Sequence, residues 1–133
     1  MIEELSLTDS VRLCGQQRLK DKYVLYEAYV SASLSEGFGL TLMEAVGSGL
    51  PIIGFDARYG NQSFIDDRVN GYKIPIHENM DRREKAAKLT DAIVKFFTEA
   101  DIEAFRDHSY KKAEKYLTKE VEKAWAKLLE VKK

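Results

Sequence analysis

Residues 35–53 read Ser35-Glu-Gly-Phe-Gly-Leu-Thr-Leu-Met-Glu-Ala-Val-Gly-Ser-Gly-Leu-Pro-Ile-Ile53 and are the most informative part of the sequence. The paired glycines Gly37 and Gly39 predict a loop, because glycine relaxes the backbone. A helix is predicted over 41–48, where a glycine and a proline follow to end it. The apolar run 52–55 then predicts a buried strand. This order of elements is typical of a βαβ unit in a parallel sheet.

The flanking sequence extends the same alternation of strands and helices. Further strands are predicted at 11–15, 29–34 and 72–76, with a helix within 19–28 and a helical turn near Phe64. After Met80, apolar residues at helical spacing mark three amphipathic helices: Leu89, Ile93, Phe96 and Phe97; Ile102, Phe105, Ala113 and Tyr116; Val121, Trp125 and Leu128. We interpret Trp125 as a core anchor. The prediction is one α/β domain over 1–133: a Rossmann-like parallel sheet of about four strands with helices on both faces (1–79), then a helical tail (80–133).

Composition excludes several classes of function. The 21 basic and 22 acidic residues give no net field to attract nucleic acid or an anionic membrane. A single cysteine, Cys14, allows no internal disulfide, and no apolar run is long enough for a membrane span, so we expect a cytoplasmic protein. His77 and His108 lack partners at metal or triad spacing and are expected at the surface. No metal site is predicted.

The glycine loop predicts a ligand site. In a parallel sheet this loop lies at the carboxyl edge, where ligands bind, and the first amides of the following helix attract an anion such as a diphosphate. Glu36 and Glu44 are expected to bracket that pocket and to accept hydrogen bonds from sugar hydroxyls. An alternative is a capping box, in which Thr41 caps the helix and Glu44 reaches back to an amide.

At these residues the sequence resembles a known family. Glu36 and Glu44 have the spacing of the Glu-x7-Glu motif of glycosyltransferase family four, which are retaining enzymes of two-domain GT-B architecture. The intervening Gly-Phe-Gly-Leu and the later Asn70-Gly71-Tyr72 are similar too, and the likeness runs over about 13–76. Residues 54–63 more narrowly resemble bacterial enzymes that attach N-acetylglucosamine to serine-rich adhesins or to wall teichoic acid.

The resemblance implies a reaction and a set of roles. The reaction is transfer of a hexose or N-acetylhexosamine from a uridine diphosphate (UDP) sugar to an acceptor hydroxyl, with the α configuration retained and no metal or other cofactor. Glu36 would be catalytic, beside the reacting carbon of the donor sugar, and Glu44 would hold the ribose hydroxyls. The backbone of Gly37, Phe38 and Gly39 would line the sugar and the phosphates. The amides of Leu40 and Thr41 would bind the diphosphate. Gly15 and Gln16 would face the base.

The resemblance also implies that parts of the enzyme lie outside this sequence. The family's acceptor-binding N-terminal domain and the basic pair that neutralises the diphosphate have no counterpart here, so we expect a fragment that is inactive alone. In that family the last helix crosses onto the N-terminal domain, which would leave an apolar patch uncovered. Two alternatives stay open: a stand-alone nucleotide-sugar binding module, and a unit whose helical tail docks a partner subunit or a second copy.

Overall fold

The computed structural model describes residues 2–19 and 21–130, and a small parallel sheet forms its centre. Three strands, β1 (Tyr29–Ser31), β2 (Ile52–Phe55) and β3 (Gly71–Ile74), lie in the order β1-β2-β3. The parallel register pairs Tyr29 with Ile52 and Ile52 with Gly71. The strands predicted at 29–34, 52–55 and 72–76 are therefore confirmed, although the first and third end earlier than predicted.

The strand predicted at 11–15 is wrong. Val11 and Leu13 are 41% and 83% exposed, and the Val11 amide donates to the carbonyl of Leu7 in a turn. A short apolar run becomes a strand only where it finds a sheet edge to pair with and a face to bury. Among the described residues the run pairs with no strand and stays exposed, so the sheet has three strands rather than about four.

The helix predicted within 19–28 shrinks to a short 3₁₀ helix, Tyr23–Leu25. Of its three residues only Tyr23 is buried. Position 20, inside the predicted helix, lies outside the described residues, as do positions 1 and 131–133. One buried residue per turn gives too little apolar contact to stabilise a longer helix.

Helices cover both faces of the sheet. Helix α1 (Leu40–Gly47) and helix α2 (Gly60–Phe64) follow β1 and β2, and α3 (Arg82–Glu99), α4 (Ile102–Ala113) and α5 (Thr118–Glu130) form the predicted helical tail. Neighbouring residues of a strand point to opposite faces. Ile52 packs with α1 and α2, and Ile53 packs with Phe96 of α3 and Phe105 of α4. The α/β fold is confirmed, while its assignment as one domain over 1–133 stays a prediction.

The interpretation of Trp125 as a core anchor is wrong. Its side chain is 59% exposed, and the other large apolar side chains of α5 are exposed with it: Val121, Leu128 and Leu129. Helical spacing identifies an apolar stripe, but it does not say what the stripe packs against. In the described residues α5 contacts chiefly the short 3₁₀ helix Glu114–Tyr116 before it.

Gly71 is expected to be essential for the pairing of β2 with β3. A Cβ atom at this position would overlap the carbonyl oxygen of Ile52 and lie 2.9 Å from its nitrogen. Gly71→Ala should therefore lower the free energy of unfolding by about 3 kcal/mol, as overpacking does in tight interiors. The matched control is Gly47→Ala, because a Cβ there meets nothing within 4 Å and alanine favours the helix by about 0.5–1 kcal/mol. Urea unfolding of both variants measures the difference, and equal stabilities would contradict this account.

Candidate functional site

The backbone of Glu36 is fixed by the segment that follows β2. The Glu36 amide donates to the carbonyl oxygen of Arg58 at 2.8 Å, and the Glu36 carbonyl accepts from the amide of Gly60 at 3.1 Å and from that of Tyr59. These bonds form a parallel bridge between Glu36 and Tyr59 beyond the ends of the strands. Glu36 therefore lies at the carboxyl edge of the sheet, where the sequence predicts it.

Two glycines allow the Glu36 side chain to lie against the start of α1. A Cβ atom on Gly60 would lie 2.8 Å from the carbonyl oxygen of Phe38 and 2.9 Å from Cγ of Glu36. A Cβ on Gly39 would lie 2.7 Å from Cδ1 of Leu42 and 3.2 Å from the same Cγ of Glu36. Larger residues at either position would displace the half-buried Glu36 or the loop that carries it.

The first turn of α1 contains amides that have no hydrogen-bond partner within the helix. Gly39 is the N-cap residue in the left-handed conformation (φ 81°), with no side-chain cap, and the Met43 amide donates to its carbonyl at 3.0 Å. The amides of Leu40, Thr41 and Leu42 therefore have no partner within the helix. The positive end of the helix dipole adds to these donors, which makes the turn suited to an anion.

The capping-box alternative is wrong. The helix begins at Leu40 rather than Thr41, and its cap is Gly39, which has no side chain to accept a hydrogen bond. The Thr41 hydroxyl oxygen instead lies 3.2 Å from the hydroxyl of Tyr29. Sequence spacing alone does not fix the first residue of a helix, and here glycine takes the conformation that starts it one residue earlier.

Glu44 accepts a hydrogen bond from a buried tyrosine. The Tyr23 hydroxyl donates to Oε2 of Glu44 at 2.9 Å, although the two residues are 21 positions apart. Glu44 is exposed on the same helix face as Leu40 and Thr41, which precede it by four and three residues. Helical side chains lean toward the N-terminus, so we expect this carboxylate on the side of the first turn of α1.

Tyr23 is a site residue that the sequence analysis missed. Burial raises the pKa of its phenol, and the hydrogen bond to Glu44 raises it further, so the hydroxyl remains a donor throughout the neutral range. The only signal in the sequence was that Tyr23 occupies a position on the apolar face of the helix predicted within 19–28. A buried tyrosine hydroxyl normally finds a partner, but the sequence does not say which.

The other predicted site residues are divided between two places. Gly37 is exposed in the loop, and the half-exposed Phe38 ring packs edge-on against Phe64 at 5.5 Å between ring centroids. Gly15 and Gln16 lie in the exposed segment before Leu19. Within the described residues no hydrogen bond joins this pair to the loop.

The surface formed by Glu36, residues 37–41 and Glu44 is called the shelf. A cavity of about 410 Å³ lies elsewhere, between α1 and the residues after α4, and none of the predicted site residues lines it: Met43, Gly47, Tyr110, Ala113, Glu114, Tyr116 and Leu117. Among residues 2–19 and 21–130, no group of three acidic, histidine or cysteine side chains is placed to hold a metal, and no helix is long and apolar enough to cross a membrane.

Comparison with known proteins identifies the family. The family model described as "Glycosyl transferases group 1" matches residues 1–100, which is most of the chain and includes the glycine loop, both glutamates and all three strands. The chain belongs to the group 1 glycosyl transferases. The GT-B fold expected for such a transferase is confirmed by its structural neighbours.

Individual relatives of this group 1 glycosyl transferase are bacterial. The chain is 56% identical over 119 residues to the UDP-N-acetylglucosamine--peptide N-acetylglucosaminyltransferase GtfA subunit of Limosilactobacillus reuteri subsp. suis, covering 90% of the chain and 23% of that protein. A solved GtfA/B complex contains a chain that matches with a TM-score of 0.90 at 51% identity. The pneumococcal O-GlcNAc transferase GtfA, solved with UDP and GlcNAc, matches with a TM-score of 0.85 at 47% identity. Each alignment covers 97% of this chain and 26% of the solved one, so the chain spans about a quarter of the length of its relatives.

Proposed function

We propose that this chain supplies the donor-binding half of a retaining glycosyltransferase that moves N-acetylglucosamine from its UDP-activated form to an acceptor hydroxyl. The observation that carries the proposal is the joint between β1 and α1, where Glu36, the glycine loop and three free helix amides adjoin. The names of the GtfA relatives support the choice of donor.

Each part of the shelf has a role in this proposal. The amides of Leu40 and Thr41 bind the diphosphate, since helix N-termini favour phosphate groups. Glu44 accepts hydrogen bonds from the ribose hydroxyls, and the backbone of 37–39 lines the sugar and the phosphates. Gly15 and Gln16 face the base.

The chemical step follows from these placements. The bond between the anomeric carbon and the diphosphate oxygen breaks, and the acceptor hydroxyl oxygen forms the new bond to that carbon and gives its proton to the departing diphosphate. Glu36 lies beside the carbon, where its charge stabilises positive charge that develops on the sugar. The amides of α1 stabilise the negative charge on the departing diphosphate, as preorganised donors do in other enzymes. No metal takes part in the proposed reaction.

In this proposal the acceptor binds to a part of the enzyme that lies outside this chain. The GtfA relatives are about four times as long as this chain, and the exposed apolar side chains of α5 offer a surface for the acceptor-binding part. The acceptor is a glycan, a polymer or a protein, and the single cysteine supports a cytoplasmic location. Nucleic acid has no role.

A stand-alone binding module without catalysis is the competing proposal. Measurement of sugar transfer by a graft of this chain into a full-length relative separates the two.

Calorimetric titration with UDP tests the donor site. Wild type should bind UDP, and Glu44→Ala should bind about 10- to 100-fold more weakly, because a hydrogen bond to a charged group contributes about 1.5–3 kcal/mol. Glu122→Ala on exposed α5 is the matched control and should bind like wild type. A repeat in excess chelator should leave the affinity unchanged. Equal affinities for wild type and Glu44→Ala would remove Glu44 from the site.

A further inference from the structure

A hydrogen bond joins the candidate site to the segment before β1. Tyr23 is 3% exposed, and its ring packs in a core cluster with Ala45 and Leu50. Its hydroxyl donates to Oε2 of Glu44 at 2.9 Å, whereas the rest of that glutamate is exposed. A buried donor therefore holds one oxygen of a carboxylate on an exposed residue.

The other carboxylate oxygen is left for a ligand. Among the described residues no hydrogen bond is made to Oε1 of Glu44, and the residue is exposed on α1. A glutamate on an exposed helix face loses rotamer freedom when it binds a ligand, which weakens binding. A carboxylate that the protein already holds has lost that freedom in advance.

We propose that Tyr23 is a positioning residue that orients the Glu44 carboxylate toward the ribose hydroxyls of a UDP donor. The inference rests on the proposed function, because it assumes that Glu44 binds ribose. It assigns Tyr23 no contact with the substrate. The hydroxyl acts through Glu44, so its effect is confined to ligands that carry ribose hydroxyls.

The chain provides a matched comparison in Tyr29. The Tyr29 hydroxyl also bonds a side chain of α1, the Thr41 hydroxyl oxygen, at 3.2 Å. Tyr29 packs against the same cluster as Tyr23, with 6.4 Å between the ring centroids. Replacing either tyrosine with phenylalanine removes one hydroxyl bond to α1 and keeps the ring, but only Tyr23→Phe releases the carboxylate.

The test compares UDP with 2′,3′-dideoxyuridine diphosphate, which lacks both ribose hydroxyls. Calorimetry on the full chain should give wild type and Tyr29→Phe an affinity ratio of about 30 in favour of UDP, as expected for lost hydrogen bonds to a charged group. In Tyr23→Phe the ratio should fall to about five or less, through weaker UDP binding with unchanged dideoxy binding. Circular dichroism and thermal unfolding check that each variant is folded.

The outcomes separate this inference from the function on which it rests. If wild type fails to bind UDP or shows no preference for it, the proposed donor site fails and Tyr23 loses its role with it. If wild type keeps the preference and Tyr23→Phe keeps it equally, the positioning role alone is overturned. An equal fall of the ratio in Tyr29→Phe would also overturn it, because general loosening of α1 would then explain the result.

Discussion

Replacing Glu36 with glutamine should reduce sugar transfer by about 10²- to 10³-fold, the range seen when a preorganised electrostatic contact to the transition state is lost. Glutamine keeps the size of the side chain and removes its charge. The backbone bonds from Glu36 to Arg58 and Gly60 do not depend on the carboxylate, so the loop should keep its place. The expected loss is therefore in turnover rather than in folding or UDP affinity.

This experiment needs an acceptor side, which a graft supplies. The chain replaces the matching quarter of the Limosilactobacillus reuteri GtfA subunit, with which it shares 56% identity. Transfer from UDP-N-acetylglucosamine is then measured for the graft, for Glu36→Gln and for the control Glu103→Gln, which changes an exposed residue of α4. Near-normal turnover in Glu36→Gln would remove Glu36 from catalysis. A folded graft that binds UDP but transfers nothing would favour the binding-module alternative.

Gly39→Val should weaken UDP binding by about 100-fold, equivalent to about 2.7 kcal/mol. Gly39 has a φ of 81°, which a β-branched residue adopts only with strain of about 1–3 kcal/mol. Its new Cβ would also lie 2.7 Å from Cδ1 of Leu42. The first turn of α1 must then shift, and the amides proposed to bind the diphosphate lose their alignment.

Calorimetry with UDP measures this effect, and circular dichroism checks the fold. Gly47→Ala at the other end of α1 is the control, because a Cβ there meets no atom within 4 Å. UDP affinity close to that of wild type in a folded Gly39→Val variant would show that the geometry of this turn does not matter for the donor.

The parts of the fold that sequence predicted share one physical property. Residues 52–55 are buried throughout, and α3 and α4 carry apolar residues that reach the core, such as Phe96 and Phe105. In these segments the apolar pattern of the sequence matches the side chains that pack in the core. The pattern alone therefore predicts the element. The glycine loop could also be predicted from the sequence, because the left-handed φ of Gly39 restricts which residue can occupy that position.

The predictions that failed concern segments whose structure depends on contacts with another segment. The local sequence pattern does not identify that other segment. The run 11–15 has the composition of a strand but pairs with none of the described strands, and Trp125 has the spacing of a core residue but stays exposed. Tyr23 was missed for a related reason. Its partner is 21 residues away, and only the packing of the 3₁₀ helix against α1 brings the two side chains together.

The central claim is that the free amides at the start of α1 bind the diphosphate of the donor. Titration of ¹⁵N-labelled chain with UDP, followed by amide chemical shifts, tests it most directly. The account predicts that the amides of Leu40 and Thr41 shift most, and that uridine without phosphates leaves them nearly unchanged. Saturable shifts centred instead on the cavity beside Tyr110 and Leu117, or no shift in a folded chain, would contradict it.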